Sequence, residues 1–197
     1  GTDYGRQIIS DEEGNIYAVG ESNQSWGDPV RAFFSSTVDG QATYDAFVAK
    51  INPEGQLVWN TFLGGSLSDY GEGITIQNGS VYLTGMSHAG WGEPLFPFQY
   101  YDAYAAKLDA STGEVSWNTF FGSDVDGDSG RTIAVDENGD IFVGGWSDES
   151  WEIGTPVDPF SNGDDGTEFD IFVLKLNSAG EYQWHGFYGS STIDNVD

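Results

Sequence analysis

Asp3-Tyr4-Gly5-Arg6, Asp69-Tyr70-Gly71-Glu72 and Asp128-Ser129-Gly130-Arg131 each open a segment of about sixty residues, and the text that follows recurs with them. Each unit next carries Ala18-Val19-Gly20, Leu83-Thr84-Gly85 or Val143-Gly144-Gly145. Then comes Asp45-Ala46-Phe47-Val48-Ala49-Lys50, Asp102-Ala103-Tyr104-Ala105-Ala106-Lys107 or Asp170-Ile171-Phe172-Val173-Leu174-Lys175. Each closes on a tryptophan strand: Val58-Trp59-Asn60-Thr61-Phe62, Ser116-Trp117-Asn118-Thr119-Phe120 or Gln183-Trp184-His185-Gly186-Phe187. A period of this length describes supersecondary units that bury their faces only against one another.

Two hairpins are predicted within each unit. The first pairs residues 8–10 with 16–20 across Asp11-Glu12-Glu13-Gly14-Asn15, and its third-unit counterpart is Asp136-Glu137-Asn138-Gly139-Asp140. In both, glycine supplies the positive φ of a bulged turn. The middle unit has the shorter Gln77-Asn78-Gly79-Ser80, and Asn-Gly is the chemistry of a two-residue type I′ turn. The second hairpin turns through Asn52-Pro53-Glu54-Gly55, Asp109-Ala110-Ser111-Thr112-Gly113 or Asn177-Ser178-Ala179-Gly180. Strands such as Ala46-Phe47-Val48-Ala49 are apolar on both faces, so each four-stranded sheet must be covered on both sides. The expected fold is therefore an all-β propeller of three four-stranded blades, spanning about 3–68, 69–127 and 128–193, with residues 194–197 opening a further unit. Propellers use 4 to 8 blades, so these three are expected to belong to a larger ring, completed by blades of a parent chain or by a homo-oligomer.

Composition narrows the partners. The chain has 197 residues, 32 acidic against 6 basic, a formal net charge of −26 and no cysteine. Such a surface repels phosphate backbones and anionic headgroups, so nucleic acid and bare membrane are excluded, while cations, basic proteins and neutral sugars are not. No apolar run approaches the roughly 20 residues that span a bilayer. Gly1-Thr2-Asp3 carries no secretion-signal pattern, so the expectation is a mature or excised soluble segment.

The series Asp-Tyr-Gly, Gly-Asn-Ile-Tyr, Asp-Ala-Phe-Val-Ala-Lys-Ile-Asn-Pro and Trp-x-Thr-Phe-Leu-Gly-Gly resembles the bacterial SBBP β-propeller repeat across all three units. The resemblance implies a part of a large secreted or surface-attached bacterial protein, with motif residues that build the blade and no catalytic site. The chain departs from that pattern after the first hairpin. Where the family carries Asp-Phe-Pro, it has Trp26-Gly27-Asp28-Pro29, Trp91-Gly92-Glu93-Pro94 and Trp151-Glu152-Ile153-Gly154-Thr155-Pro156.

Repetition separates scaffold from candidate site. Residues present in every unit are explained by what every blade needs: Lys50, Lys107 and Lys175 as ion-pair or hydrogen-bond donors, Asp3, Asp69 and Asp128 as acceptors in the inter-blade turn, and Trp59, Trp117 and Trp184 as core. The connections at 21–44, 86–101 and 146–169 are long, leave the blades at one edge and are rich in aromatics. Two readings stand side by side there: Trp-x-x-Pro folds the loop back onto its own blade, or exposed rings form a platform for a sugar or peptide. The platform would use Arg31, His88, Trp91, Trp146, Trp151, Asp164 and Asp165, the non-repeated ones most of all.

Asp124, Asp126 and Asp128 alternate as hard-cation loops do, which makes calcium the cofactor to consider there. The loop is not an EF-hand, since Ser129 stands where its glycine is required and Val135 where its bidentate glutamate belongs. The functional expectation is a non-catalytic extracellular or cell-surface scaffold or binding module, taking a glycan or a protein. Its alternative is a carbohydrate-active enzyme with carboxylates on the loop face, and no nucleophile, phosphate or dinucleotide motif favours another enzyme class.

The charge generates a first prediction. Self-repulsion among 26 uncompensated negative charges destabilises the compact state and is screened over about 10 Å at 0.1 M salt. The melting temperature should therefore rise with sodium chloride; a flat or falling dependence would contradict it.

Overall fold

Gly14, at φ 82°, turns strand β1 (Asp3–Ser10) back onto β2 (Ile16–Ser22). The chain then runs through a two-stranded ribbon, β3 (Thr37–Val38) and β4 (Gln41–Ala42), before β5 (Asp45–Ile51) and β6 (Leu57–Leu63) complete the sheet. The second unit forms β7 (Asp69–Gln77), β8 (Ser80–Ser87), β9 (Asp102–Asp109) and β10 (Val115–Phe121). The third forms β11 (Asp128–Val135), β12 (Ile141–Ser147), β13 (Asp170–Leu176) and β14 (Tyr182–Tyr188). This is a computed structural model, and it describes residues 1–125, 127–161 and 169–189. The three large sheets are antiparallel meanders, β1-β2-β5-β6, β7-β8-β9-β10 and β11-β12-β13-β14. Residues 194–197, expected to open a further unit, lie outside the described residues.

Local chemistry behaves as the turns require. Asn78 and Gly79 both take positive φ, 48° and 71°, so β7 passes into β8 through the type I′ geometry that matches strand twist. The β3–β4 ribbon, which the sequence pattern did not reveal, turns on Asp39 and Gly40 at φ 52° and 77°. Each first strand also carries a bulge after its Asp-x-Gly, at Arg6, Glu72 and Arg131. A bulge re-aims the extra side chain. Here Arg6 reaches Glu21 at 2.5 Å and Arg131 crosses to Glu72 of the preceding blade at 3.1 Å.

The blades stack through two mixed cores. Tyr17, Val19, Val48, Trp59 and Leu63 of the first blade meet Ile74, Leu83, Tyr104, Leu108 and Phe120 of the second. Tyr82, Ala103, Ala105 and Phe121 of the second meet Ile133, Val143, Phe172, Leu174 and Phe187 of the third. Burying each large side chain of this kind contributes about 1.5–3 kcal/mol, which is why a blade with strands apolar on both faces must have neighbours. The opposite face of the first blade, Phe47, Ala49 and Phe62, packs, among the described residues, against Trp26 and Phe33 of its own loop.

The repeated lysines stand opposite an aromatic on the adjacent strand: Lys50 with Tyr17, Lys107 with Tyr82 and Lys175 with Phe142. Each ammonium lies 5.2–5.4 Å from that ring centroid. Lys50 also donates to the Ala110 carbonyl at 3.1 Å, and Lys175 pairs with Asp140 at 2.6 Å. None joins the aspartate five positions earlier, because an odd offset in a strand sends the two side chains to opposite faces. Of the three core tryptophans, Trp59 is buried, whereas Trp117 and Trp184 are half-buried. For Trp184 the cause is plain: among the described residues no blade follows it.

Trp59→Ala should accordingly cost about 3–5 kcal/mol, the range for deleting a buried aromatic. Leu57→Ala, on the same strand but exposed, should stay within about 1 kcal/mol. Urea midpoints measure both, and equal losses would contradict this account of the core.

Candidate functional site

At the loop end of the sheets, each blade is joined to the next by buried carboxyl groups. The aspartate that opens each first strand takes a hydroxyl from the last residue of the second strand: Ser22 Oγ to Asp3 at 2.5 Å, and likewise Ser87 to Asp69 and Ser147 to Asp128. The inter-blade turn supplies a backbone donor as well, Gly65 N–H to Asp69 and Ser123 N–H to Asp128, both at 2.8 Å. The aspartate opening each third strand clasps the end of the long loop instead. Asp45 accepts from Phe34 N–H at 2.6 Å, Asp102 from Gln99 N–H at 2.8 Å and Asp170 from Ser161 N–H at 2.7 Å.

These two sets face each other across a glycine. A Cβ on Gly64 would lie 2.5 Å from Asp45 Oδ1 and 2.8 Å from Asp69 Oδ2, and one on Gly122 would lie 2.6 Å from Asp102 Oδ1 and 2.5 Å from Asp128 Oδ2. No side chain but hydrogen fits. Burial disfavours the charged forms, pushing Asp45 and Asp102 up to about 6, Asp69 to about 7 and Asp128 to about 8. Arg31 stands at the first junction, its guanidinium donating to the carbonyls of Phe62 at 2.7 Å and Gly64 at 3.0 Å, with its charge felt by Asp45 and Asp69. In the second and third units Phe96 and Asp158 hold its place, as the matching backbone bonds from Phe62, Phe120 and Phe187 N–H show.

The long loops fold back along each outer strand. Val30, Leu95 and Val157 donate N–H to the carbonyls of Asn60, Asn118 and His185, and the Asn60 and Asn118 amides hold Trp26 and Trp91 by their own carbonyls. This lays the tryptophans over their own blades. Trp91 is 5% exposed, edge-on to Tyr104 and Phe120, and Trp151 is 4% exposed among Phe172, His185 and Phe187. Neither ring presents a face to a ligand, so of the two readings of Trp-x-x-Pro the fold-back describes these residues. Trp146 is half-buried against Phe169. Asp164 and Asp165 lie outside the described residues.

Of the alternating acids, the two that are described point to different surroundings. Asp124 is exposed, Asp126 is outside the described residues, and Asp128 turns inward to Ser147, Ser123 and the Trp151 indole at 2.7 Å. Its strand position inside the junction is the physical reason it cannot serve a surface loop.

His88 does fall in a cluster. A run of rings crosses the first two blades: Tyr4 to Tyr44 at 6.1 Å, Tyr44 to Tyr70 at 6.4 Å, Tyr70 to His88 at 5.4 Å, His88 to Tyr101 at 4.2 Å and Tyr101 to Tyr100 at 4.3 Å. Tyr4 is 49% and Tyr100 41% exposed, and the rings between them are half-buried. Burial lowers the His88 pKa, which keeps its imidazole neutral near pH 7. The run is anchored on the inter-blade turn, since Tyr44 N–H donates to Ser68 Oγ at 3.3 Å and His88 N–H to the Ser68 carbonyl at 3.0 Å. In the sequence Tyr100 and Tyr101 stand among the aromatics of the second long loop, whereas nothing in the repeated motifs themselves sets Tyr44 apart. A signal was available: Tyr44, Tyr101 and Phe169 are the aromatics immediately before Asp45, Asp102 and Asp170.

Among known families, the β-propeller repeat SBBP matches residues 121–150, which run from the end of β10 to the first residues after β12. That stretch is similar to an SBBP repeat, and the two four-stranded sheets before it have the same antiparallel order as the sheet it opens. A comparison with curated proteins finds no match.

The buried acids set a pH dependence. Their folded pKa values stand above the ordinary aspartate value of about 3.9, so the stability they contribute is full below that value and is lost as pH rises through 6 to 8. In high salt, to mute surface repulsion, the urea midpoint should rise from pH 8 to pH 5, and Asp128→Asn should flatten the part between 7 and 8. An unchanged slope in that variant would remove Asp128 from the account.

Proposed function

We propose that the protein is a non-catalytic binding module of a larger extracellular or cell-surface bacterial protein, and that it takes a neutral glycan along Tyr44, Tyr70, His88, Tyr101 and Tyr100. One observation carries the reading: an unbroken series of rings, centroid to centroid 4.2–6.4 Å, across two rigid blades. Sugar rings offer apolar C–H faces to such a surface, while tyrosine hydroxyls supply hydrogen bonds at its edge. A net charge of −26 disfavours anionic chains and leaves uncharged ones unopposed. The β-propeller repeat supports a scaffold or binding role of this general kind.

The enzymatic alternative draws no support from the carboxyl groups with raised pKa. Asp45, Asp69, Asp102 and Asp128 are all fully buried within the blade junctions.

A glycan array followed by affinity electrophoresis in neutral polysaccharides tests the reading. Retention without release of reducing ends is expected, and Tyr101→Ala should weaken it by about tenfold, equivalent to about 1.4 kcal/mol. Turnover of a retained polysaccharide, or retention indifferent to Tyr101 and Tyr70, would overturn it.

A further inference from the structure

Three positions recur in each unit and are closed by the preceding blade in the second and third units only. The first is the glycine of Asp-x-Gly: a Cβ on Gly71 would meet Val19 at 2.6 Å and the Gly20 carbonyl at 2.9 Å, and one on Gly130 would meet Thr84 at 2.0 Å. Gly5 has nothing within 4 Å. The second is the isoleucine three residues on, where Ile74 is 2% and Ile133 6% exposed but Ile8 is 69% exposed.

The third is the glycine of the second hairpin turn. A Cβ on Gly113 would lie 2.8 Å from the Trp59 ring and one on Gly180 2.9 Å from the Trp117 ring, whereas one on Gly55 would have nothing within 4 Å. All three turn glycines share positive φ, between 76° and 83°. So the first blade keeps the full set of parts that seats a blade against its predecessor, and among the described residues no blade covers them.

The third blade keeps the matching receiver. In the first blade Tyr17, Lys50 and Trp59 together hold the Ala110 carbonyl of the next blade's turn. Their equivalents Phe142, Lys175 and Trp184 lie side by side on neighbouring strands of the third blade and are half-buried. Tyr188 is exposed on the same strand as Trp184.

We propose that the third blade of one copy receives the first blade of a second copy, head to tail. The occupant follows from continuity with an interface that the chain already forms twice. A receiver and a seat are different surfaces, so the contact is heterologous, and the three described blades of each of two copies make six, inside the 4 to 8 that propellers use. Arg131 and Arg6 become neighbours across the new junction, each already neutralised by Glu72 or Glu21.

Light scattering on the intact chain in high salt tests this. The expected mass is twice that of the chain, returning to one chain with Trp184→Ala and with Ile8→Asp. Ile8 is exposed in the single chain, so that variant keeps the test meaningful if loss of Trp184 impairs folding. The sequence has no cysteine, which allows a second measurement without background. Chains carrying Glu54→Cys mixed with chains carrying Gln183→Cys should be joined by a short bismaleimide, and Glu54→Cys alone should not be. A mass of one chain at every concentration, association that survives both substitutions, or cross-linking of Glu54→Cys to itself would each overturn the proposal.

Discussion

A carboxyl group fully buried at the junction fastens each blade to the next. Asp69 and Asp128 sit at the first residue of a blade's first strand, take a serine hydroxyl from the strand beside them and a backbone N–H from the turn before them, and are fully buried. Burying a charge is expensive unless it is paired or neutralised. The two junctions meet that cost differently. At the first, Arg31 brings a guanidinium close to Asp45 and Asp69; at the second, Phe96 stands in its place and the Trp151 indole bonds Asp128, whose pKa is pushed highest of the four. The shape of the junction is repeated, its electrostatics are not.

Glycine is the other half of this constraint. Because Gly64 and Gly122 lie between facing acids, any side chain there would drive the two carboxyl groups apart and loosen the inter-blade turn. That turn is also what Tyr44 and His88 bond to, so the ring series depends on it at one remove. A defect in the junction would thus reach the candidate binding surface without touching it.

What could be read from the text alone follows the range of the forces involved. Turn chemistry is local, and Asn78-Gly79 or Gly14 is legible because φ is decided within a residue or two. The blade is legible because a strand apolar on both faces and a tryptophan strand recur three times. Bulges at Arg6, Glu72 and Arg131 are not, since nothing in Asp-x-Gly-x says which residue leaves the ladder; only the ion pairs they reach explain them. Trp91 and Trp151 illustrate the same limit in the candidate site. Period and composition tell that a loop is aromatic, whereas which way its rings turn depends on the Asn118 amide, the Phe120 and Phe187 rings and backbone bonds to the outer strand.

The ring series belongs to neither blade alone. Tyr4 and Tyr44 come from the first, Tyr70, His88, Tyr100 and Tyr101 from the second, and the distances between them are fixed only because the two sheets share one core. In repeat proteins stability is carried by nearest-neighbour interfaces. A surface built across such an interface inherits its rigidity, and a ligand lying on it would contact both blades at once and so favour their docked arrangement by mass action. The third unit breaks the series: it carries Ser129 where the earlier units have Tyr4 and Tyr70, and Trp146 with Phe169 form a separate pair. One scaffold, repeated three times, therefore presents its aromatic surface at the first junction and a different one beyond the second. The junction acids follow the same rule, with equal positions and unequal surroundings.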